Sequence, residues 1–177
     1  MNTVLQQLED ELTHSLHGLN AAQIQLRPRH DPGRWNICQI VQHLLLTYTS
    51  TITSMEGRIA KGTPTRSHPA FRQYMAQIFV IRLGLMPGRR EAPPVVAPPV
   101  DPPDPLLSGA DLADSVSSEL ARLDSVLDQA EGHFGFTPCS SHFALGALSV
   151  QQWRRFHLVH GRHHIRQIVA IRREHQL

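Results

Sequence analysis

The chain has a single lysine, only two cysteines, and no apolar run approaching the roughly 20 residues that a membrane-spanning helix needs. Cys38 and Cys139 stand far apart, and neither has a second Cys beside it. That excludes a CxxC redox motif and a zinc ribbon, and it makes a reducing compartment the default reading. With lysine almost missing, arginine supplies nearly all of the 17 basic residues against 15 acidic ones, and the formal charge is only +2. Such a balance provides no dense basic stripe for a duplex, so nucleic acid is not an expected partner. The first residues, Met1-Asn2-Thr3-Val4-Leu5-Gln6-Gln7-Leu8, have neither the basic start nor the apolar stretch of a secretory signal. A cytoplasmic protein with no membrane association is the expectation. There is no glycine-rich phosphate loop and no internal repeat.

What remains is helical. A chain of 177 residues fits one domain, here read as 1–177, and can bury a core without disulfides. Leu5, Leu8, Leu12, Leu16 and Leu19 recur at three- and four-residue steps and predict a first helix of about four turns. A second is predicted from Asn36 to Ala60 on the stripe Ile37, Val41, Leu44, Tyr48, Ile52, Met55 and Ile59. A third runs from Asp111 to Glu131, with Gly132 as its stop, and a fourth from Val150 to about Arg173. Phe71 to Leu85 predicts an additional amphipathic helix using Phe71, Met75, Ile78 and Phe79, and no strand pattern is convincing. Eight prolines between Pro87 and Pro105 forbid regular helix there and make a long crossover between the second and third main helices. Two helix starts carry capping signals. Ser149-Val150-Gln151-Gln152 has the S-x-x-Q form, and Asn36 with Gln39 is a looser copy preceded by Trp35.

Histidine is the compositional outlier, with 12 residues, five of them from His142 to His164. Imidazole is the commonest metal ligand and titrates near neutral pH. On a wheel of the last helix, at ~100° per residue with Trp153 at zero, His160 lies near ~−20° and His164 near ~+20°, in the middle of the apolar stripe. Residues four apart are neighbours on a helix, so this pair can converge on one ion. Two half-satisfied imidazoles in a dry core would otherwise cost several kcal/mol. His43, among Ile40, Val41, Leu44, Leu45 and Leu46, is the leading third ligand. His157 faces the same way and is either a ligand or a group that orients one. Gln167 faces inward and either orients a ligand or bridges helices as a buried amide. His142, read as lying on a loop, belongs either to the site mouth or to the surface. His163 is a boundary residue, and His14, His17, His30, His68, His133 and His175 are read as solvated. Trp153 and Phe156 are read as core rather than as substrate contacts.

Trp35-Asn36 leading into His43-Leu44, and His160-Gly161-Arg162-His163-His164-Ile165-Arg166-Gln167-Ile168 on the last helix, resemble the DinB/YfiT-like metalloenzymes. The stretch through Phe143, Gly146, Leu148-Ser149, Gln152-Trp153 and Arg155-Phe156-His157 is similar to one branch of that family. The resemblance spans the chain from about Trp35 to its end. It implies an all-α four-helix bundle with up-down-down-up topology, which suits the long crossover. Its ligand triad falls on His43, His160 and His164. The resemblance further implies zinc, nickel or iron as the ion, a low-molecular-weight thiol with a small electrophilic substrate as reactants, and a homodimer. Many relatives carry an acidic residue where this chain has Gly161.

Three neutral imidazoles leave a dication's charge uncompensated and a position open, so a thiol or water there becomes a nucleophile near neutral pH. The functional expectation is therefore a metal-dependent enzyme of the thiol S-transferase or hydrolase kind. A non-catalytic metal-binding or stress-response bundle, or a dimerisation module, is the alternative. Arg34, Arg154 and Arg155 are the candidates for holding an acidic cosubstrate, each also readable as a solvated charge.

Overall fold

The computed structural model describes residues 1–86 and 92–177. The first part of the proline-rich crossover, Pro87 to Glu91, lies outside the described residues, which contain six helices and one two-stranded hairpin.

Helix α1 (Thr3–Leu16) buries Leu5, Leu8, Leu12 and Leu16, the stripe that the spacing predicts. It ends earlier than expected. Leu19 is buried from the connection beyond the helix, and Asn20 then caps a one-turn helix, α2 (Ala21–Ile24), with Gln23 reciprocating. Helix α3 (Ile37–Lys61) starts at a full capping box: Asn36 Oδ1 accepts from the Gln39 amide at 2.7 Å, and Gln39 Oε1 accepts from that of Asn36 at 3.2 Å. Helix α5 (Gly109–Phe134) is boxed by Ser108 and Asp111. It runs past Gly132, because a helix interior tolerates one glycine at modest cost. The stop is Gly135, where φ is 55° and a side chain would be strained. The last helix, α6 (Val150–His175), is boxed by Ser149 and Gln152.

The long helices share one core: α3 lies against α5, α1 against α5 and α6, and α3 meets α6 where their histidines face each other. Gly161 sets how closely α1 approaches α6. A Cβ there would stand 2.2 Å from Leu8 Cδ1, so this position packs against α1.

Further expectations are corrected. Helix α4 (Phe71–Gln77) runs into a single π-helical turn, Ile78–Arg82, and stops short of Leu85. Its predicted apolar face is only partly covered: Met75 and Ile78 are half-buried and Phe71 and Phe79 are exposed, whereas Gln77 and Val80 are buried. The cause is polar. The Gln77 amide donates to the carbonyls of Leu145 at 2.7 Å and Ala147 at 3.1 Å, which fixes that side of the helix against the segment before α6. That segment is an antiparallel hairpin, β1 (Ser140–His142) and β2 (Gly146–Leu148), with Ser140 opposite Leu148 and His142 opposite Gly146. Three-residue strands are too short to show alternation, and β2 is buried along its whole length, so no period of two marks it. His142 accordingly sits on β1 and not in a loop.

Within the described part of the crossover, Pro94–Val96 forms a 3-10 turn that packs on α3, and Gln39 Nε2 donates to the Pro99 carbonyl at 3.0 Å. No helix among the described residues is long and apolar enough to cross a membrane.

Candidate metal centre

His43 lies in the second turn of α3, and His160 and His164 lie one turn apart on α6, so the two capping boxes set where all three rings point. Their Nε2 atoms converge. His43 Nε2 and His164 Nε2 lie 3.2 Å and 3.1 Å from His160 Nε2, and one ligand atom from each ring falls within 4.8 Å of the others. Among the described residues this group comprises those three histidines.

Two of the rings are held from behind. His43 Nδ1 donates to the Val96 carbonyl at 2.8 Å, and His164 Nδ1 donates to Gln167 Oε1 at 2.8 Å. The Gln167 amide in turn donates to His163 Nε2 at 3.2 Å. Trp35 lies beside the site with its ring centroid 5.0 Å from that of His43 and 6.4 Å from that of His164. Phe156 stacks almost parallel on His160 at 5.3 Å.

Burial holds the rings neutral. It pushes His43 below the usual imidazole range and His164 down to about 3, the latter helped by the neighbouring His43. His160 is held well below its ordinary value by burial and then by His164 and His43. With Nδ1–H donating to an oxygen, neutral His43 and His164 each present a bare lone pair at Nε2. Both lone pairs point at His160 Nε2. A proton on that atom serves one of them and leaves the other facing nitrogen, whereas a cation serves all three. The spacing fits: at metal–nitrogen bonds of ~2.0–2.1 Å, tetrahedral angles separate donor nitrogens by about 3.3 Å and right angles by about 2.9 Å. The observed 3.1 and 3.2 Å lie between. This buried three-histidine group can hold a divalent metal ion.

The other candidates fall around it. Gln167 orients His164, and His163 is half-buried beside it. His157 is fully buried one turn before His160, outside the converging group, with its ring against Tyr48, Trp153 and Phe156. His142 packs on Phe156 and Trp153, and its Nδ1 accepts from the amides of Ala144 and Leu145. Trp153 and Phe156 are both buried. Of the arginines, Arg154 is buried and bound to Asp128 and Glu131, so it is neither solvated nor free for a cosubstrate. Arg155 donates to the Ile81 carbonyl at 3.3 Å, and Arg34 is exposed beside Asp31. His175, read as solvated, is half-buried and donates to the Arg27 carbonyl at 2.9 Å. Sequence reasoning missed two parts of the site. The Val96 carbonyl leaves no side-chain signal, and Trp35, read as a helix-start residue and part of a motif but not as lining the site, has its ring beside those of His43 and His164.

A family model described as a protein of unknown function, DUF1569, matches residues 4–171. The chain belongs to the DUF1569 family. No curated protein and no solved structure matches it. The match takes in all three histidines of the centre, Trp35, Val96 and Gln167, so the whole arrangement lies within the DUF1569 region of the chain.

Proposed function

We propose that this chain is a metal-dependent enzyme of the DinB/YfiT-like kind, a four-helix bundle with up-down-down-up topology in which His43, His160 and His164 hold one zinc, nickel or iron ion. The observation that carries this reading is the convergence of three neutral Nε2 atoms, two of them with the opposite nitrogen already donating. A dication held by His43, His160 and His164 would supply Lewis acidity that favours the ionised form of a thiol or water, the chemistry that S-transfer from a low-molecular-weight thiol to a small electrophile, or hydrolysis, would need.

The chain's own groups do the rest. The Val96 carbonyl and Gln167 fix ring orientation and tautomer. Phe156 shields one face of His160 from water. Of the three candidate arginines Arg34 is the exposed one, paired only with the equally exposed Asp31 at 3.5 Å, and so the best placed for an acidic cosubstrate, because Arg154 and Arg155 are engaged within the fold. The alternative, a non-catalytic metal-binding bundle, is supported by Trp35, whose ring lies over two of the three imidazoles and narrows the approach to them.

Metal content after identical purification tests the reading. His43→Ala, His160→Ala and His164→Ala each drop a stoichiometric metal to trace, while His68→Ala leaves it unchanged. Retention of full metal by His160→Ala or His164→Ala would overturn the ligand assignment. Loss of metal in all three, together with inactivity of the loaded protein on thiol-dependent and hydrolytic substrate panels, would leave the site and remove the enzyme.

A further inference from the structure

Five buried polar atoms beside the triad meet no other protein atom at hydrogen-bonding distance: Tyr48 Oη, Trp153 Nε1, both ring nitrogens of His157, and Nδ1 of His160. They lie together. The side chains of Tyr48 and His157 are fully buried and Trp153 nearly so, and the His157 ring centroid is 5.3 Å from that of Tyr48 and 5.9 Å from that of Trp153. His160 is one helical turn further along α6. Single unpaired polar atoms are uncommon in protein interiors, and each is costly. Five on neighbouring side chains have the make-up of a hydration site, since a buried water needs about two to four polar partners.

The donor and acceptor inventory closes around water. With Nε2 of His160 committed to an ion, its Nδ1 carries the proton and can only donate. Trp153 Nε1 likewise only donates, neutral His157 offers one donor and one acceptor, and the Tyr48 hydroxyl serves as either. One water accepts from His160 and Trp153 and donates to the bare nitrogen of His157 and the Tyr48 oxygen, and a second accepts from the remaining N–H of His157. Burial keeps His157 neutral and the Tyr48 phenol protonated, as this pattern requires.

We propose that Tyr48, Trp153, His157 and His160 enclose a site for one or two ordered water molecules, through which His157 and Tyr48 hold the His160 ring as the Val96 carbonyl holds His43 and Gln167 holds His164. The role assigned to His160 rests on the metal reading above. His157 and Tyr48 are then positioning residues for the third ligand, not ligands themselves.

Cobalt(II) titration of the full chain, followed by its visible d–d bands, supplies the test. Tyr48→Phe and His157→Phe keep the ring volume and remove the polar atoms. Each weakens cobalt binding about ten-fold or more and shifts the d–d bands, and His157→Gln recovers part of both. Wild-type affinity with unchanged spectra in both phenylalanine variants would overturn the proposal, as would a metal-free Tyr48→Phe protein that melts at or above the wild-type temperature, the behaviour of a dry core relieved of an unpaired hydroxyl. A high-resolution crystal structure with water density bonded to His157 and His160 Nδ1 supports it, and a dry space there overturns it. If the wild type binds no cobalt, the metal reading fails by itself, and the crystal structure and the melting comparison still decide whether the water site exists.

Discussion

Acidifying the metal-free protein from about pH 7 to about pH 5 perturbs the imidazoles that burial holds most firmly neutral. His157 is pushed down to about 3, first by burial and then by the nearby His142, and His164 to about 3 by burial and then by His43. In the unfolded chain both titrate near ~6.5. Above that pH neither state binds the proton, so these groups leave stability unchanged. Below it the unfolded chain takes up protons that the native state refuses, and stability falls with pH until the folded values near 3 are reached. The slope is ~1.4 kcal/mol per pH unit for each imidazole, so at pH 5 each costs about 2 kcal/mol and the pair about 4 kcal/mol. His160, depressed in the same direction, adds to this loss. Against a usual stability of ~5–15 kcal/mol, the apoprotein loses a large share of its margin within two pH units. Urea denaturation of chelator-treated protein, followed by circular dichroism at several pH values from about 7.5 to 5, reads the effect as a falling midpoint. A midpoint that stays flat over that range would refute the reasoning, because it would mean that the folded state takes up protons on these rings as readily as the unfolded chain does. His157→Phe checks the share of one group: its stability still falls with acid, but with a slope lower by about one imidazole.

The approach of α1 to α6 provides an independent check. Gly161→Ala forces a Cβ to within 2.2 Å of Leu8 Cδ1, and Leu8 is fully buried, so the variant should lose ~1–3 kcal/mol in urea denaturation, part of it recovered when Leu8→Ala is added. Wild-type stability in Gly161→Ala would show that the helices separate freely there. On assembly, bundles with broad apolar faces commonly pair. Light scattering at micromolar concentration should therefore give the mass of a homodimer, and a clean monomer mass would count against it.

How much of this was legible in the sequence depends on what each feature needs. The histidine pair needs only helical geometry, and four-residue spacing at the centre of an apolar stripe is a purely local pattern, so His160 and His164 meet as the wheel places them. The starts of α3 and α6 were legible for the same reason, since a capping box is contained in four residues. The end of α5 was not. Gly132 and Gly135 both fit as stops, and only the backbone conformation at Gly135 separates them. The inward side of α4 was legible only in part: Met75 and Ile78 are half-buried, but Phe71 and Phe79 are not, because Gln77, through two carbonyls of a distant segment, fixes the buried side. Partners 68 and 70 residues away leave no trace in a helical wheel. The hairpin escaped notice for want of length.

The crossover shows the same limit most sharply, because residue type there says what the segment avoids and not what it does. Prolines rule out a helix, and the segment reads as a spacer between α3 and α5. Yet its 3-10 turn at Pro94–Val96 delivers a main-chain oxygen to His43 Nδ1, and Gln39, a capping residue of α3, grips it again at Pro99. A carbonyl is present at every residue, so residue type cannot announce which one will be used. What residue type does supply is stiffness. Pro93 and Pro94 before the contact and Pro98 and Pro99 after it have their φ angles fixed, so holding the Val96 carbonyl in place costs less chain entropy than it would in a flexible linker. The prolines on either side of Val96 thus serve the site: they keep the described part of the crossover out of α-helix and hold its main chain where the His43 ring donates to it.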